Sequence, residues 1–145
     1  MTRIVCDANV ALKWFHSHRE PEAREARALA LAAGEGTLEL RVLDLTYLEI
    51  GNALATKLRW AARRIAALLA QLPAITGEPL RLSMSDMFDS AELATSHRLT
   101  FYDAAYWAAT RALEAELVTM DSALLAAGAG ETPARLCERL GLASG

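Results

Sequence analysis

Cysteine, histidine and long apolar runs are all scarce in this chain, and each scarcity removes a class of explanation. The two cysteines, Cys6 and Cys137, lie far apart with no C-x-x-C spacing, so neither a zinc site nor a disulfide framework is expected and both read as buried free thiols. His16 and His18 stand two apart on an expected helix and diverge, which leaves zinc without a ligand pair. The remaining histidine, His97, reads as the charged end of a helix, where it suits the dipole. Apolar residues make up 53% of the chain, yet a charged residue interrupts every stretch before about 18 of them accumulate, so no membrane span is expected. The N-terminal apolar run is too short for the core of a signal peptide, and a cytoplasmic location is the expectation. No internal repeat, low-complexity linker or charge block divides the sequence, and its length suits a single domain over residues 1–145 with one site.

What the chain does have is four carboxylates in strongly apolar surroundings: Asp7 in IVCDANV, Glu49 in LTYLEIGNAL, Asp103 in LTFYDAAYWAA and Asp121 in LVTMDSAL. Ionised acids are rarely buried without a partner. None of the four has a Lys or Arg three or four places away on its own helix, the spacing at which a helical neighbour neutralises it. The net charge of −3 has the wrong sign for bulk attraction to nucleic acid, but removing four negative charges from it leaves +1.

Arg3 to Cys6 predicts a buried parallel strand whose carboxyl end presents Asp7, the edge at which open α/β sheets bind ligands. Asn9 to Phe15 is expected to be helical, and a charged amphipathic helix follows, stopping at Gly34 and Gly36. Leu38, Leu40 and Val42 alternate with Glu39 and Arg41 as a second strand. Leu45 to Lys57 and Arg59 to Leu72, the latter closed by Pro73 and Gly77, predict a helical hairpin. Leu80 to Leu82 reads as a short strand, before helices from about Asp86 to His97 and from Phe101 to Glu114. Leu117 to Thr119 is a third apolar run, and Asp121 follows it as Asp7 follows the first. The tail from Glu131 reads either as a strand near Ala134 to Cys137 or as a helical end.

At about 100° per residue, Glu49, Asn52 and Thr56 share one polar stripe, while Asp103, Tyr106, Trp107 and Thr110 share a face of their own helix. Purely structural roles are open for three of the acids. Thr100 and Asp103 match a capping-box pattern, and Asp121 and either Asp7 or Asn9 stand where helix caps belong. Glu49, well inside its helix, has no such role. Two strand-end acids and two helix acids in one small α/β domain are able to meet at one edge, where their mutual repulsion would force protonation unless a cation offsets it. Hard divalent ions such as Mg²⁺ or Mn²⁺ suit an all-oxygen set.

In order and spacing, IVCDANV, LEIGNAL, LTFYDAAYWAA and LVTMDSALL resemble the PIN-domain nucleases, most closely the ribonuclease toxins of bacterial VapBC toxin–antitoxin pairs; the resemblance covers about residues 3 to 127. It implies a three-layer α/β/α sandwich with a parallel sheet of about five strands and the acids at its carboxyl edge. Leu43-Asp44-Leu45 stands where the family often carries a proline. The resemblance further implies that Asp7 and Asp103 are the central Mg²⁺ or Mn²⁺ ligands, that Glu49 binds metal or orients the attacking water, and that Asp121 serves a second ion or an outer water. Asn9, Asn52 and Thr119 would support them. The implied activity is metal-dependent hydrolysis of RNA leaving a 5′ phosphate and a 3′ hydroxyl.

The implied partners are RNA, a cognate VapB-like antitoxin that wraps the toxin, and a second copy of the chain, giving a homodimer within a toxin–antitoxin hetero-oligomer; exposed Leu and Ala on the Glu49 hairpin suit such contacts. Arg59, Arg63 and Arg64, with Lys57, cluster around Trp60, either as an RNA-contacting rim or as a solubilising helix surface. Two other readings compete. A haloacid-dehalogenase-like phosphatase would use Asp7 as nucleophile, but its second acid two residues on is replaced by Asn9 and Glu49 goes unexplained. A PIN-like domain kept as a catalytically silent binding module is the non-enzymatic reading.

Overall fold

The β-branched pair Ile4 and Val5 favours extended backbone, and Thr2–Cys6 forms strand β1 inside a parallel sheet. The structure, a computed structural model, describes residues 1–142. Helices α1 (Ala8–Leu12) and α2 (Ala23–Gly34) lead to β2 (Leu38–Arg41); α3 (Asp44–Thr56), α4 (Ala62–Thr76), α5 (Met84–His97) and α6 (Phe101–Ala112) lead to β3 (Glu116–Val118). Helix α7 (Ser122–Ala126), strand β4 (Gly130–Glu131) and helix α8 (Pro133–Leu140) follow. The strands run parallel in the order β2-β1-β3-β4, with Ile4 opposite Leu40 and Cys6 opposite Val118.

Side chains alternate across the sheet as the pleat requires. Ile4, Cys6, Leu38 and Leu40 pack with Ala26 and Leu29 of α2 and Leu136 of α8. Val5 and Leu117 point the other way, against Leu93 of α5 and Ala104, Tyr106 and Ala108 of α6. This is the expected α/β/α sandwich. A third cluster joins Ala11 of α1 to Ile50 and Leu54 of α3 and Leu68 and Leu72 of α4, which makes α3 and α4 the anticipated hairpin. No helix among the described residues is long and apolar enough to cross a membrane.

Three expectations need correction, and the tail takes one of its two expected forms. Among the described residues the sheet has four strands and not about five, because Leu80 makes only a single parallel bridge to Leu43. Leu80 makes both bonds of that bridge, its amide to the Val42 carbonyl and its carbonyl to the Asp44 amide, and just beyond it Ser83 already caps α5 with reciprocal bonds to Asp86. Pro73 does not close its helix; it sits exposed in the last turn of α4, which ends at Gly77 with φ +69° and an amide bonded to the Pro73 carbonyl. Helix α1 stops at Leu12, and turns carry the chain through Phe15. The tail is helical: Thr132 caps α8 and Pro133 occupies its first turn, while the strand falls just before it.

β4 approaches β3 so closely that a Cβ on Gly130 would lie 2.4 Å from the Leu117 carbonyl oxygen, whereas one on Gly51 within α3 would meet nothing within 4 Å. Gly130→Ala is expected to destabilise the fold by about 2 kcal/mol or more. Gly51→Ala is expected to stabilise it by about 0.5–1 kcal/mol. Urea unfolding of the two variants reads both signs.

Candidate active site

The order of strands reverses between β1 and β3: the chain leaves β1 for β2 on one side and reaches β3 and β4 on the other. In an open parallel sheet that switch point leaves a crevice at the carboxyl ends. Asp7 follows β1 there, and Thr119, Met120 and Asp121 follow β3. The Thr119 hydroxyl donates to Asp7 Oδ2 at 2.5 Å and accepts the Asp121 amide at 2.9 Å, so one buried side chain fixes both strand-end acids.

The cap roles are real as well. Asp7 Oδ1 accepts the Val10 amide at 3.1 Å at the start of α1, and Asp121 Oδ1 accepts the Leu124 amide at 2.9 Å at the start of α7. Asp103 differs: Thr100 caps α6 by accepting the Asp103 amide at 3.1 Å, and the reciprocal half of the capping box is not made. Its carboxylate is left half-exposed in the first turn.

Glu49 is held by a chain that the sequence reading did not find. Leu43, with no side-chain oxygen, cannot cap α3, so the Thr46 hydroxyl turns back and accepts the Leu43 amide at 3.0 Å. Thr46 in turn stands 2.8 Å from the hydroxyl of Tyr106, which donates to Glu49 Oε1 at 2.7 Å. Because the Tyr106 proton goes to Glu49, the Thr46 proton goes to Tyr106, and the whole relay points toward the acid. Tyr106 is 2% exposed and comes from α6, three residues after Asp103 on the same face. That spacing was the available signal.

The acids raise one another's proton affinity. Burial pushes Asp7 up to about 6, the hydrogen bonds from Thr119 and Val10 oppose this, and the charges of Glu49 and Asp103 add to it. Burial likewise raises Glu49, eased by Tyr106 and reinforced by Asp103. Asp103 is raised by burial and by Asp121. Among the described residues none of the four forms an ion pair. Four mutually repelling, oxygen-only donors without a cation fit a hard divalent ion. Among the described residues no three Asp, Glu, His or Cys side chains gather closely enough to enclose one by themselves. An ion here would therefore complete its coordination with water or phosphate oxygens, as Mg²⁺ habitually does.

The supporting residues are placed unevenly. Thr119 is central, whereas Asn9 and Asn52 are exposed on α1 and α3. Arg59, Arg63 and Arg64 are exposed around the turn into α4; the Arg64 guanidinium covers the Trp60 ring at 3.8 Å, and Trp60 packs on the α3–α4 cluster. No hydrogen bond among the described residues joins this group to the acids. His97 ends α5 and lies against Trp107, away from any acid–base pairing.

Residues 4–130 match the family model of the PIN domain, and the chain belongs to that family. Its fold is similar to that of PAE2754 from Pyrobaculum aerophilum, at 25% identity and a TM-score of 0.69 over 97% of this chain and 90% of that one. It is also similar to a toxin–antitoxin complex from Klebsiella pneumoniae (19% identity, TM-score 0.64) and to FitAcB from Neisseria gonorrhoeae (17%, TM-score 0.60), each over 90% of this chain and 97% of the other. No curated protein matches the sequence. PIN domains are generally nucleases that use divalent metal ions, which leaves the phosphatase reading without support.

Between its unfolded value of 3.8 and its folded value of about 6, Asp7 holds a proton in the native state that the unfolded chain releases. Metal-free stability should therefore fall as pH rises through that window, by about 3 kcal/mol from this group. Asp7→Asn removes the charge and loses one Thr119 bond, so in EDTA it is expected to be more stable than wild type by about 2 kcal/mol at pH 7.5 and no more stable at pH 4. Urea titrations at the two pH values check this; an equal difference at both would contradict it. Tyr106→Phe, which strands Thr46 and frees Glu49, is expected to lose about 1–2 kcal/mol and to raise the Glu49 titration seen by carboxyl NMR.

Proposed function

We propose that this chain is a Mg²⁺- or Mn²⁺-dependent endoribonuclease of the toxin type, hydrolysing RNA phosphodiester bonds at the Asp7–Glu49–Asp103–Asp121 edge. The observation that carries the reading is the burial of Asp7, 5% exposed, in electrostatic contact with Glu49 and Asp103 and without a cationic side chain to offset any of them. Asp7 and Asp103 would hold the ion, Asp121 a second ion or an outer water. A divalent cation bound here would supply Lewis acidity, easing deprotonation of water and offsetting charge that builds on the phosphate.

The chain's own residues do the rest. Thr119 fixes the Oδ2 edge of Asp7 and sets its spacing from Asp121. Tyr106 ties down Glu49 Oε1, which leaves Oε2 to accept a hydrogen bond from the attacking water; the upward pull on Glu49 makes it a stronger base. Asn9 and Asn52, exposed on the two flanking helices, would contact outer waters or the sugar-phosphate chain. The rim of Arg59, Trp60, Arg63 and Arg64 would contribute phosphate contacts, with Arg64 in place over the indole. The products would be a 5′ phosphate and a 3′ hydroxyl.

The partner reading rests on the shared fold. One structural neighbour is described as a toxin–antitoxin complex, and a VapB-like antitoxin would hold this chain inactive in the cytoplasm as a single PIN-like domain spanning residues 1–145. Association needs apolar surface, and Leu48, Met87, Phe101 and Tyr102 supply it around an open cavity of about 480 Å³. A homodimer and the antitoxin contact both draw on such a face.

Total RNA incubated with antitoxin-free protein and Mg²⁺ or Mn²⁺ is expected to acquire discrete new 5′-phosphate ends, absent with EDTA. Asp7→Asn and Asp103→Asn are each expected to reduce them at least about 100-fold while circular dichroism stays native. Metal binding without any cleavage would favour the silent binding module; loss of folding in both variants would return these acids to a purely capping role.

A further inference from the structure

Beside the carboxylates, the C-terminal portions of α1 and α3 enclose a cavity of about 430 Å³ that none of the four acids lines. Its polar walls are Lys13, His16, Glu20 and Lys57, and Leu12 and Leu58 supply apolar wall. Three further lining residues tie it to the acidic edge: Asn9 stands two after Asp7, Ala53 one turn after Glu49, and Met120 immediately before Asp121. Sequence neighbours of these three acids therefore line the cavity.

Lys13 is the unusual wall. Its side chain is 4% exposed, and its ammonium makes one bond, to Glu20 Oε2 at 3.1 Å. An ammonium has three donors, and a buried charge is tolerated only when its donors are satisfied. Among the described residues no second protein acceptor is present for Lys13, so its remaining N–H groups need an oxygen from outside the chain. Lys57 is exposed and forms no ion pair among the described residues. Lys13 and Lys57 against Glu20 leave a positive excess here, next to an edge that repels anions. The volume lies in the range of small-ligand pockets, about 300–1,000 Å³, enough for one nucleotide.

We infer that this cavity is a nucleotide subsite, in which Lys13 and Lys57 take the phosphate of the ribonucleotide next to the bond being cut while Leu12 and Leu58 face its sugar and base. The inference rests on the nuclease reading for the strand it places. Glu20 positions Lys13 and is the more exposed partner of the pair. The arrangement gives the RNA strand an anchor that does not depend on the cation.

Binding is tested without metal. The wild-type protein in EDTA is titrated with each of the four ribonucleoside 5′-monophosphates and with the matching nucleosides, following backbone amides by NMR. The monophosphates are expected to shift the amides around 12–16 and 53–58, the nucleosides to leave them in place, and Lys57→Gln, at an exposed position, to weaken binding about three- to tenfold. Lys13→Gln should do the same, its spectrum reporting whether it folds. Shifts elsewhere or none, equal shifts with nucleosides, or an unchanged affinity in Lys57→Gln would overturn the subsite. Cleavage in Mg²⁺ is scored separately: a chain that cuts RNA but ignores nucleotides loses only the subsite, and one that binds nucleotides without cutting loses only the nuclease.

Discussion

The repulsion among carboxylates at the switch point of the sheet is the constraint on which the rest of the structure depends. Asp7 is buried at the end of the central strand, where burial and two neighbouring acids all favour its protonated form. Several features of the fold oppose that tendency. Thr119 and the Val10 amide hold the two Asp7 oxygens, Tyr106 holds Glu49, and Thr100 caps α6 so that Asp103 need not. The bonds to Asp7 and Glu49 orient those acids without neutralising them, and the Thr100 cap leaves the Asp103 carboxylate free. An unoffset charge is thereby kept in place, which is a cost to stability and a benefit to any chemistry that needs a cation at that point.

Capping and function are not alternatives here. Asp7 and Asp121 both satisfy the first amides of short helices, and both also belong to the acidic edge. A carboxylate oxygen has more than one lone pair, so Asp7, whose two oxygens each accept one bond, and Asp121, which caps with one oxygen, both keep lone pairs for a ligand. The cap fixes the side-chain rotamer, and the rotamer fixes the site. Thr119 extends the same economy across the sheet by joining the ends of β1 and β3.

The features legible in the sequence were those carried by local pattern. Short apolar runs ended by Asp7 and Asp121 marked the two central strands, and helical spacing marked α3 and α6 with their acids. What escaped was set by tertiary packing or by a single residue against the pattern. The Thr46–Tyr106–Glu49 relay joins residues 60 and 57 positions apart and exists only because the fold brings the Tyr106 hydroxyl of α6 to two side chains of α3. Leu80 to Leu82 had the composition of a strand, but the Ser83 cap of α5 follows at once and a single bridge forms. Lys13 fell inside the stretch Asn9 to Phe15, which was expected only to be helical; its ammonium pairs with Glu20, which lies between the end of α1 and the start of α2.

The most direct measurement is a carboxyl NMR titration of Asp7 in the metal-free protein and again in saturating Mg²⁺. Burial, reinforced by repulsion and offset by a bound cation, requires titration near pH 6 without metal and well below the ordinary aspartate range, about 4, with it. An Asp7 that titrates near pH 4 in both samples would contradict the account, because neither the burial and repulsion nor the cation would then act on it.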